Sequence, residues 1–401
     1  MRRGHRPARM DAHLNVVMVS ETYPPEVNGV ARTVAIIVDG LRAQGHALKL
    51  VRPRQGPTDQ AHNTAGFGEM LRPGMQIPRY SQLRMGLPSK RALLQEWQRA
   101  RPDIVHIATE GPLGWSALSA ARSLGIPVAT DFHTNFHAYS SHYGFGWIAR
   151  AVTGYLRNFH NRADCTMVPT EEMARDLGRL GFEKLRVVGR GVNSATFSPV
   201  KRDSALRERW GADDGVPVAL CVSRFAPEKN FPLVLDAFRA MHAANSRTKL
   251  ILVGDGPMAD ELRRAGLGIV VAGRLVNGAL SAHYASADIF LFPSTTETFG
   301  NVTMEAMASG LAVVAYDYAA ARQHIVHGRS GLLAPVDDHI GFIEHAAALA
   351  RDLPRARELG RHAREVAEPL GWEKVVMDFE TVLRETIAEH AITAVHRHAA
   401  A

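Results

Sequence analysis

The residues best placed to do chemistry lie in Phe292–Gly310, the run Phe-Pro-Ser-Thr-Thr-Glu-Thr-Phe-Gly-Asn-Val-Thr-Met-Glu-Ala-Met-Ala-Ser-Gly. A strand ending at Phe292, a loop carrying Glu297 and a helix starting near Gly300 would present free amides and a partial positive charge, a setting that suits phosphate. Small residues at the turn let a ligand approach the backbone. Glu305 falls about one and a half turns into that helix. There a carboxylate can accept two hydrogen bonds from a vicinal diol such as a ribose. Glu297, ahead of the helix, can take the hydroxyls of a sugar. The plainer alternative is that Glu297 caps the helix and Glu305 is a surface charge.

A second run, Ser223-Arg224-Phe225-Ala226-Pro227-Glu228-Lys229-Asn230, follows a strand-like segment. Arg224 and Lys229 would stand at its carboxyl end. Two fixed cations suit a diphosphate whose charge grows as a bond to it breaks. An ordinary basic loop capped by Asn230 is the alternative. In the third run, Glu21-Thr22-Tyr23-Pro24-Pro25-Glu26-Val27-Asn28-Gly29-Val30, Gly29 stands at a strand-to-helix turn and would allow close approach of a phosphate. No complete Gly-x-Gly-x-x-Gly is present, which disfavours a dinucleotide cofactor. Gly254-Asp255-Gly256-Pro257 is a further strand–turn–helix corner, read as structural. His133, in Asp131-Phe132-His133-Thr134-Asn135-Phe136, could hydrogen-bond a sugar hydroxyl, or its backbone carbonyl could stabilise developing positive charge. It is one of 19 histidines, so position alone does not decide its role. Asp-x-Asp, His-Glu-x-x-His and paired cysteines are absent, so no metal site is expected. Gly-x-Ser-x-Gly, the serine-hydrolase elbow, is also missing.

The elements that must position these residues alternate along the chain. Leu14–Val19, Ala47–Val51, Ile104–Ala108, Pro127–Thr130, Thr166–Val168 and Arg186–Val188 read as strands, with helical patterns between most of them. The runs are short and nearly continuous in apolar residues, as in a parallel sheet covered on both faces. A polar break at Asn193–Asp203 separates them from a second series, Val218–Val222, Leu250–Val253, Ile269–Ala272, Ile289–Phe292, Val313–Ala315 and Gly331–Leu333. The expectation is an α/β chain of two doubly wound, Rossmann-like domains, 13–195 and 200–371, facing a central cleft. A helix over 372–389 would follow and return to the first domain, with a frayed tail from His390.

The 401 residues are 46% hydrophobic and 22% charged, which is globular rather than disordered. No apolar run approaches the roughly 20 residues that span a bilayer. The basic start, Met1–Arg9, reads as a disordered extension rather than a signal peptide. Two cysteines, Cys165 and Cys221, argue against a disulfide framework and fit a reduced, cytoplasmic setting. Residues 1–196 hold 25 Lys and Arg against 15 Asp and Glu, and the remainder 22 against 25, so any anionic partner belongs to the first half. Nucleic acid, a membrane surface and a merely solvated face all fit that asymmetry, but no nucleic-acid-binding module is recognisable and no nucleic-acid partner is expected.

Together, these motifs resemble family 4 glycosyltransferases, retaining enzymes of the GT-B fold, over about Asn15 to Trp372. Glu297 and Glu305 match the family's Glu-x7-Glu, Arg224 and Lys229 its phosphate-binding pair, and Ser309-Gly310 its helix-ending small pair. Tyr23–Val30, Phe132–Phe136 and Arg224–Asn230 are most similar to a branch holding GDP-mannose-dependent α-mannosyltransferases and sulfoquinovosyl-lipid synthases. The Asn28-Gly29 pair, where two glycines are common in the family, is similar to that branch.

The resemblance implies a nucleotide-sugar donor, with GDP-mannose favoured and no metal or other cofactor. Arg224 and Lys229 would grip the diphosphate and Glu305 the ribose. Glu297 and the backbone of Phe299, Gly300 and Asn301 would hold the sugar. His133 would lie beside the transferred sugar, Gly29 near the phosphates and acceptor, and Gly273, Arg274 and Leu275 against the base. It also implies retention of configuration by front-face attack and a lipid-linked or glycan acceptor.

The stretch Arg79–Arg101 interleaves Arg79, Arg84, Lys90, Arg91, Arg99 and Arg101 with Leu87, Leu93, Leu94 and Trp97. As a basic amphipathic helix it could lie on an anionic membrane, peripheral on the cytoplasmic face; as a packing helix it would bury Leu93, Leu94 and Trp97 and leave its basic face solvated. Rival readings are a UDP-sugar-dependent glycolipid synthase (glucosyl, glucuronosyl or sulfoquinovosyl), a nucleotide-sugar epimerase, and a catalytically idle sugar-nucleotide-binding scaffold.

Overall fold

A computed structural model describes residues 13–26, 28–77, 80–133 and 146–399. Met1–Arg9, Val27, Arg79 and Thr134–Phe136, all invoked above, lie outside them. The described residues form two units, 13–133 with 146–189 and 373–399, and 190–372.

In the first unit, strands form both on short apolar runs and, between residues 63 and 86, on stretches of mixed polarity. They are β1 (Asn15–Val19), β2 (Ala47–Pro53), β3 (Asn63–Thr64), β4 (Phe67–Arg72), β5 (Gly74–Ile77), β6 (Tyr80–Gly86), β7 (Ile104–Ile107), β8 (Val128–Asp131), β9 (Cys165–Val168) and β10 (Leu185–Val187). One sheet has the order β10-β9-β8-β7-β1-β2-β4-β3, parallel except for the β3–β4 pair. β5 and β6 form a separate antiparallel pair.

That pair corrects the expectation of one helix over Arg79–Arg101. Tyr80–Gly86 is a strand, and the helix is confined to Lys90–Arg99. Gly86 would bring a Cβ within 2.6 Å of Leu113 Cβ, so the strand end is pressed against the helix Pro112–Leu124. The short helix buries Leu93 and Trp97 in the core and exposes Lys90, Arg91 and Arg99.

In the second unit, β11 (Val218–Val222), β12 (Lys249–Val253), β13 (Ile269–Gly273), β14 (Ile289–Phe292), β15 (Ala312–Tyr316) and β16 (Leu332–Ala334) make one parallel sheet of order β13-β12-β11-β14-β15-β16. Side chains alternate across it. Val218, Leu220 and Val222 enter one apolar cluster, while Ala219 and Cys221 enter another on the opposite face. Both faces are therefore covered by helices, which is why these strands read as continuous apolar runs.

The final helix starts at Trp372, as expected, but runs on to Ala399 rather than fraying after Glu389. Its residues from Glu373 belong to the first unit. Val376 packs on Gly40, Phe379 on the His106 ring at 4.8 Å, and Glu380 meets His46 at 3.2 Å. At the expected end Arg186 pairs with Glu389 at 3.0 Å, and just beyond it His390 pairs with Asp164 at 3.1 Å, which anchors the start of the extra turns.

Among the described residues no helix is long and apolar enough to cross a membrane. Cys165 and Cys221 are free and buried; burial pushes their thiols up to about 11 and about 12. Neither is expected to react with a thiol reagent in the native protein. Stoichiometric labelling without denaturant would contradict that burial.

Candidate active site

In an open parallel sheet, ligands bind outside the carboxyl ends of the strands. In the second unit that edge gathers Arg224 after β11, Gly254 after β12, Gly273 at the end of β13 and Glu297 after β14. β11 and β14 are paired and parallel, so the loops that leave them emerge side by side.

The contact between those two loops forms the centre of the site. Lys229 Nζ lies 2.5 Å from Glu297 Oε1, with the two side chains 16% and 18% exposed. Ser294 Oγ donates to the same oxygen at 2.8 Å. Both bonds end on Oε1, so Oε2 is placed to accept from a hydroxyl. The Thr296 hydroxyl donates to the Glu228 carbonyl at 3.2 Å, which ties the two loops together a second time, and the Tyr318 hydroxyl, after the strand Ala312–Tyr316, donates to the Glu297 carbonyl at 2.8 Å.

Arg224 is half exposed and pairs with Glu228. Burial works against ionisation of Glu228, yet its own backbone amide and the Arg224 guanidinium hold its carboxyl below the usual range. Arg224 is thus a restrained cation with room for a ligand. Lys229 sits in a short 3-10 turn, Pro227–Lys229, that Asn230 closes with φ 55, a left-handed conformation asparagine tolerates.

The helix Asn301–Ala308 begins at Gly300, whose φ of 93 and ψ of 59 suit glycine. No side chain caps it and no acidic residue occupies its first turn, so its leading amides are left for a ligand. Asn301 Oδ1 is buried with no hydrogen-bond partner among the described residues. Glu305 is 5% exposed, which excludes the surface-charge alternative; Glu297 lies in the loop and does not cap the helix. Phe299 is buried, and its carbonyl accepts from the Ala320 amide at 2.9 Å.

Gly273 has φ 75 with open space where a Cβ would lie, Arg274 is exposed, and Leu275 is half-buried. The Gly273 carbonyl accepts from the Gly254 amide at 2.9 Å. The corner read as structural packs against the loop that carries Arg224. Gly254 and Gly256 pack directly on the Arg224 loop, Phe225 N donates to Asp255 O at 2.8 Å, and Met258 N donates to Phe225 O at 3.0 Å.

In the first unit, His133 follows β8, with Nε2 3.1 Å from Asp131 Oδ2. The two residues, 10% and 5% exposed in their side chains, stand two apart on an extended segment, a spacing that puts both on one side of the chain. That spacing was the available signal for Asp131 as the orienting partner. Gly29 opens the helix Gly29–Ala43, but the Asn28 side chain accepts from Ala31 N at 2.8 Å and caps it. The start of that helix is thus already partly satisfied, and Gly29 is exposed with nothing within 4 Å of a Cβ. The Glu21 carboxylate is turned inward. It accepts from the Gly86 and Leu113 amides at 3.0 and 2.9 Å; burial raises its pKa and those bonds only partly oppose the rise.

Two family models match the chain, "Glycosyltransferase Family 4" over residues 27–196 and "Glycosyl transferases group 1" over 216–352. The chain is 33% identical over 379 residues to a GDP-mannose-dependent alpha-mannosyltransferase of Mycolicibacterium smegmatis, covering 92% of this chain and 98% of that one. The chain belongs to glycosyltransferase family 4. This family 4 enzyme is a hexosyltransferase. It is also 28% identical over 355 residues to a sulfoquinovosyl transferase of Arabidopsis thaliana, covering 86% of this chain and 68% of that one. Its fold is GT-B, like that of sucrose-phosphate synthase from Thermosynechococcus elongatus, with a TM-score of 0.74 at 18% identity over 94% of this chain and all of that one.

Sequence reasoning passed over one residue that packs beside the Glu297 loop. His324 packs its ring against Phe299 at 6.0 Å, and its Nε2 is buried without a partner among the described residues. Burial lowers its pKa to about 4. The unfolded chain therefore takes up a proton near pH 6.5 that the folded chain refuses until about 4, so stability falls as pH drops through that window and levels below it. The loss attributable to His324 is on the order of 3 kcal/mol. Urea midpoints measured between pH 7 and pH 4 should fall less steeply in His324→Gln than in the wild type; parallel curves would show that His324 is not the group responsible.

Proposed function

We propose that this transferase moves mannose from GDP-mannose to a lipid-linked or glycan acceptor, with retention of configuration and without a metal ion. The observation that carries the proposal is the Lys229–Glu297 pair beside an uncapped helix start, with Glu305 buried in that helix and Arg224 exposed alongside. The M. smegmatis relative supports the choice of donor.

In this scheme Arg224, Lys229 and the amides at Gly300 and Asn301 bind the diphosphate, and Glu305 accepts from the ribose diol. Glu297 Oε2 accepts from a mannose hydroxyl. Gly273, Arg274 and Leu275 border the base. His133, oriented by Asp131, and Gly29 keep the roles the family likeness gives them. The bond from the anomeric carbon to the phosphate oxygen breaks while the acceptor oxygen attacks on the same face, and the acceptor proton passes to the departing phosphate oxygen. Charge grows on the diphosphate during that step, and two fixed cations stabilise it most there.

Thermal unfolding with GDP, UDP, GDP-mannose and UDP-glucose, each with and without EDTA, tests the donor and the metal together. GDP-mannose at 100 times its dissociation constant should raise the midpoint by about 5 °C, with or without chelator. Selective stabilisation by a UDP compound would favour the UDP-sugar glycolipid synthase, which the sulfoquinovosyl transferase relative supports. No shift with any of them would bring the idle scaffold forward.

A lipid-linked acceptor requires contact with a membrane surface. The exposed Lys90, Arg91 and Leu87 offer cationic and apolar groups for it. Flotation with anionic liposomes at low salt should recover the wild-type chain and lose most of Lys90→Glu/Arg91→Glu. Equal recovery of both proteins would remove this surface from the proposal.

A further inference from the structure

The amino edge of the second sheet, opposite the donor residues, carries another charged pocket. Asp214 precedes β11, Asp288 precedes β14, and Ser309 and Gly310 precede β15. A cavity of about 560 Å³ opens there, within the range of small-molecule sites. Arg202, Arg357, Arg361 and Arg364 line it.

The charges in this pocket are unevenly satisfied. Asp288, 1% exposed in its side chain, meets Arg202 at 3.2 Å, Arg207 at 3.1 Å and Arg357 at 3.5 Å. Asp214 bridges Arg202 at 2.9 Å and Arg357 at 3.0 Å. Three guanidinium groups thus share two carboxylates, leaving positive charge in excess. Arg364 donates to the Ser194, Phe197 and Ala308 carbonyls and pairs with Glu368. It thereby covers the carbonyl end of the helix Asn301–Ala308, which would otherwise repel an anion. Arg361 is exposed and has no ion-pair or hydrogen-bond partner among the described residues.

A second, independent observation comes from Ser309. It lines the cavity, is 3% exposed, and its hydroxyl has no hydrogen-bond partner among the described residues. A buried hydroxyl is costly to leave unpaired, and a bound group with acceptor oxygens would satisfy it.

We propose that this pocket is a second ligand site, for a small phosphate-bearing anion, with Arg361 and Ser309 as its direct contacts. A guanidinium presents paired N–H donors that match two oxygens of one phosphate, and the serine hydroxyl donates to a third. Glu365 lines the same cavity one helical turn after Arg361 and opposes the anion. The site lies at the opposite strand ends from Arg224 and Lys229 and is independent of the donor proposed above.

Calorimetric titration of the full chain with millimolar inorganic phosphate tests it, in an Arg224→Ala/Lys229→Ala background that removes the donor-side cations, with the wild type measured alongside. The expected result is one saturable site that persists in the background. It weakens about tenfold or more in Arg361→Gln and severalfold in Ser309→Ala, and it tightens in Glu365→Gln. Circular dichroism checks that each variant is folded. Absence of saturable binding in the background, or binding unchanged by both Arg361→Gln and Ser309→Ala, would overturn the proposal.

Discussion

Lys229→Ala is expected to lower kcat/KM for the nucleotide-sugar donor by about 10²–10³-fold while moving the unfolding midpoint little. The substitution removes one of two cations from the proposed diphosphate site and strips Glu297 of its partner, leaving only the Ser294 hydroxyl on Oε1. The effect should fall mainly on kcat, because the diphosphate gains charge only as the glycosidic bond breaks. Lys229→Arg, which keeps the charge but changes its shape, should recover part of the rate. Glu297→Gln should also be severely slowed, and the double variant Lys229→Ala/Glu297→Gln should lose less than the product of the two single losses, since each single change already breaks the same pair. A loss below about threefold in Lys229→Ala would reduce the pair to a structural ion bridge and undo the donor site as drawn.

Gly254→Ala should give the largest effect on stability and should also weaken donor binding. A Cβ there would lie 1.8 Å from the Ser223 carbonyl oxygen, at a φ of 151 that other residues rarely adopt. Overpacking and backbone strain together should cost about 3 kcal/mol. The displaced group is backbone immediately before Arg224, and the Gly254 amide also holds the Gly273 carbonyl. Weakened donor binding should therefore persist in whatever fraction remains folded. Gly278→Ala is the control, since nothing stands within 4 Å of its Cβ. The urea midpoint and donor affinity of that variant should match the wild type. If the Gly254→Ala midpoint stays within about 0.5 kcal/mol of the wild type, the corner is only a connector.

Much of the candidate site could be read along the chain because its determinants are local. Glu297, Gly300 and Glu305 belong to one strand–loop–helix passage, and Arg224 and Lys229 to one loop. Gly300 needs its left-handed backbone, and Glu305 falls on the buried side of a helix whose neighbours are apolar. Where a pattern was weaker, sequence reasoning slipped. Tyr80–Gly86 was merged into the basic helix after it, although it pairs with β5. The last helix was ended at Glu389, because the contacts that anchor the following turns, such as Asp164 with His390, come from far up the chain. The Asn28 cap on the helix at Gly29 was also overlooked, although asparagine just before a helix is a local signal.

By itself the sequence determined the two strand–helix series, the sheets buried on both faces, and the residue types that suit phosphate and a diol, because hydrophobic period and turn chemistry act over a few residues. Which loops meet was decided only by the tertiary structure. β11 pairs with β12 on one side and with β14, three strands later in sequence, on the other, and the parallel register of β11 and β14 sets two loops together so that Lys229 reaches Glu297 across 68 positions of chain. The same ordering brings Gly254 under Arg224 at one edge, and Arg202, Ser309 and Arg361 around a single cavity at the other. Strand order is a global property of packing, and no local pattern encodes it.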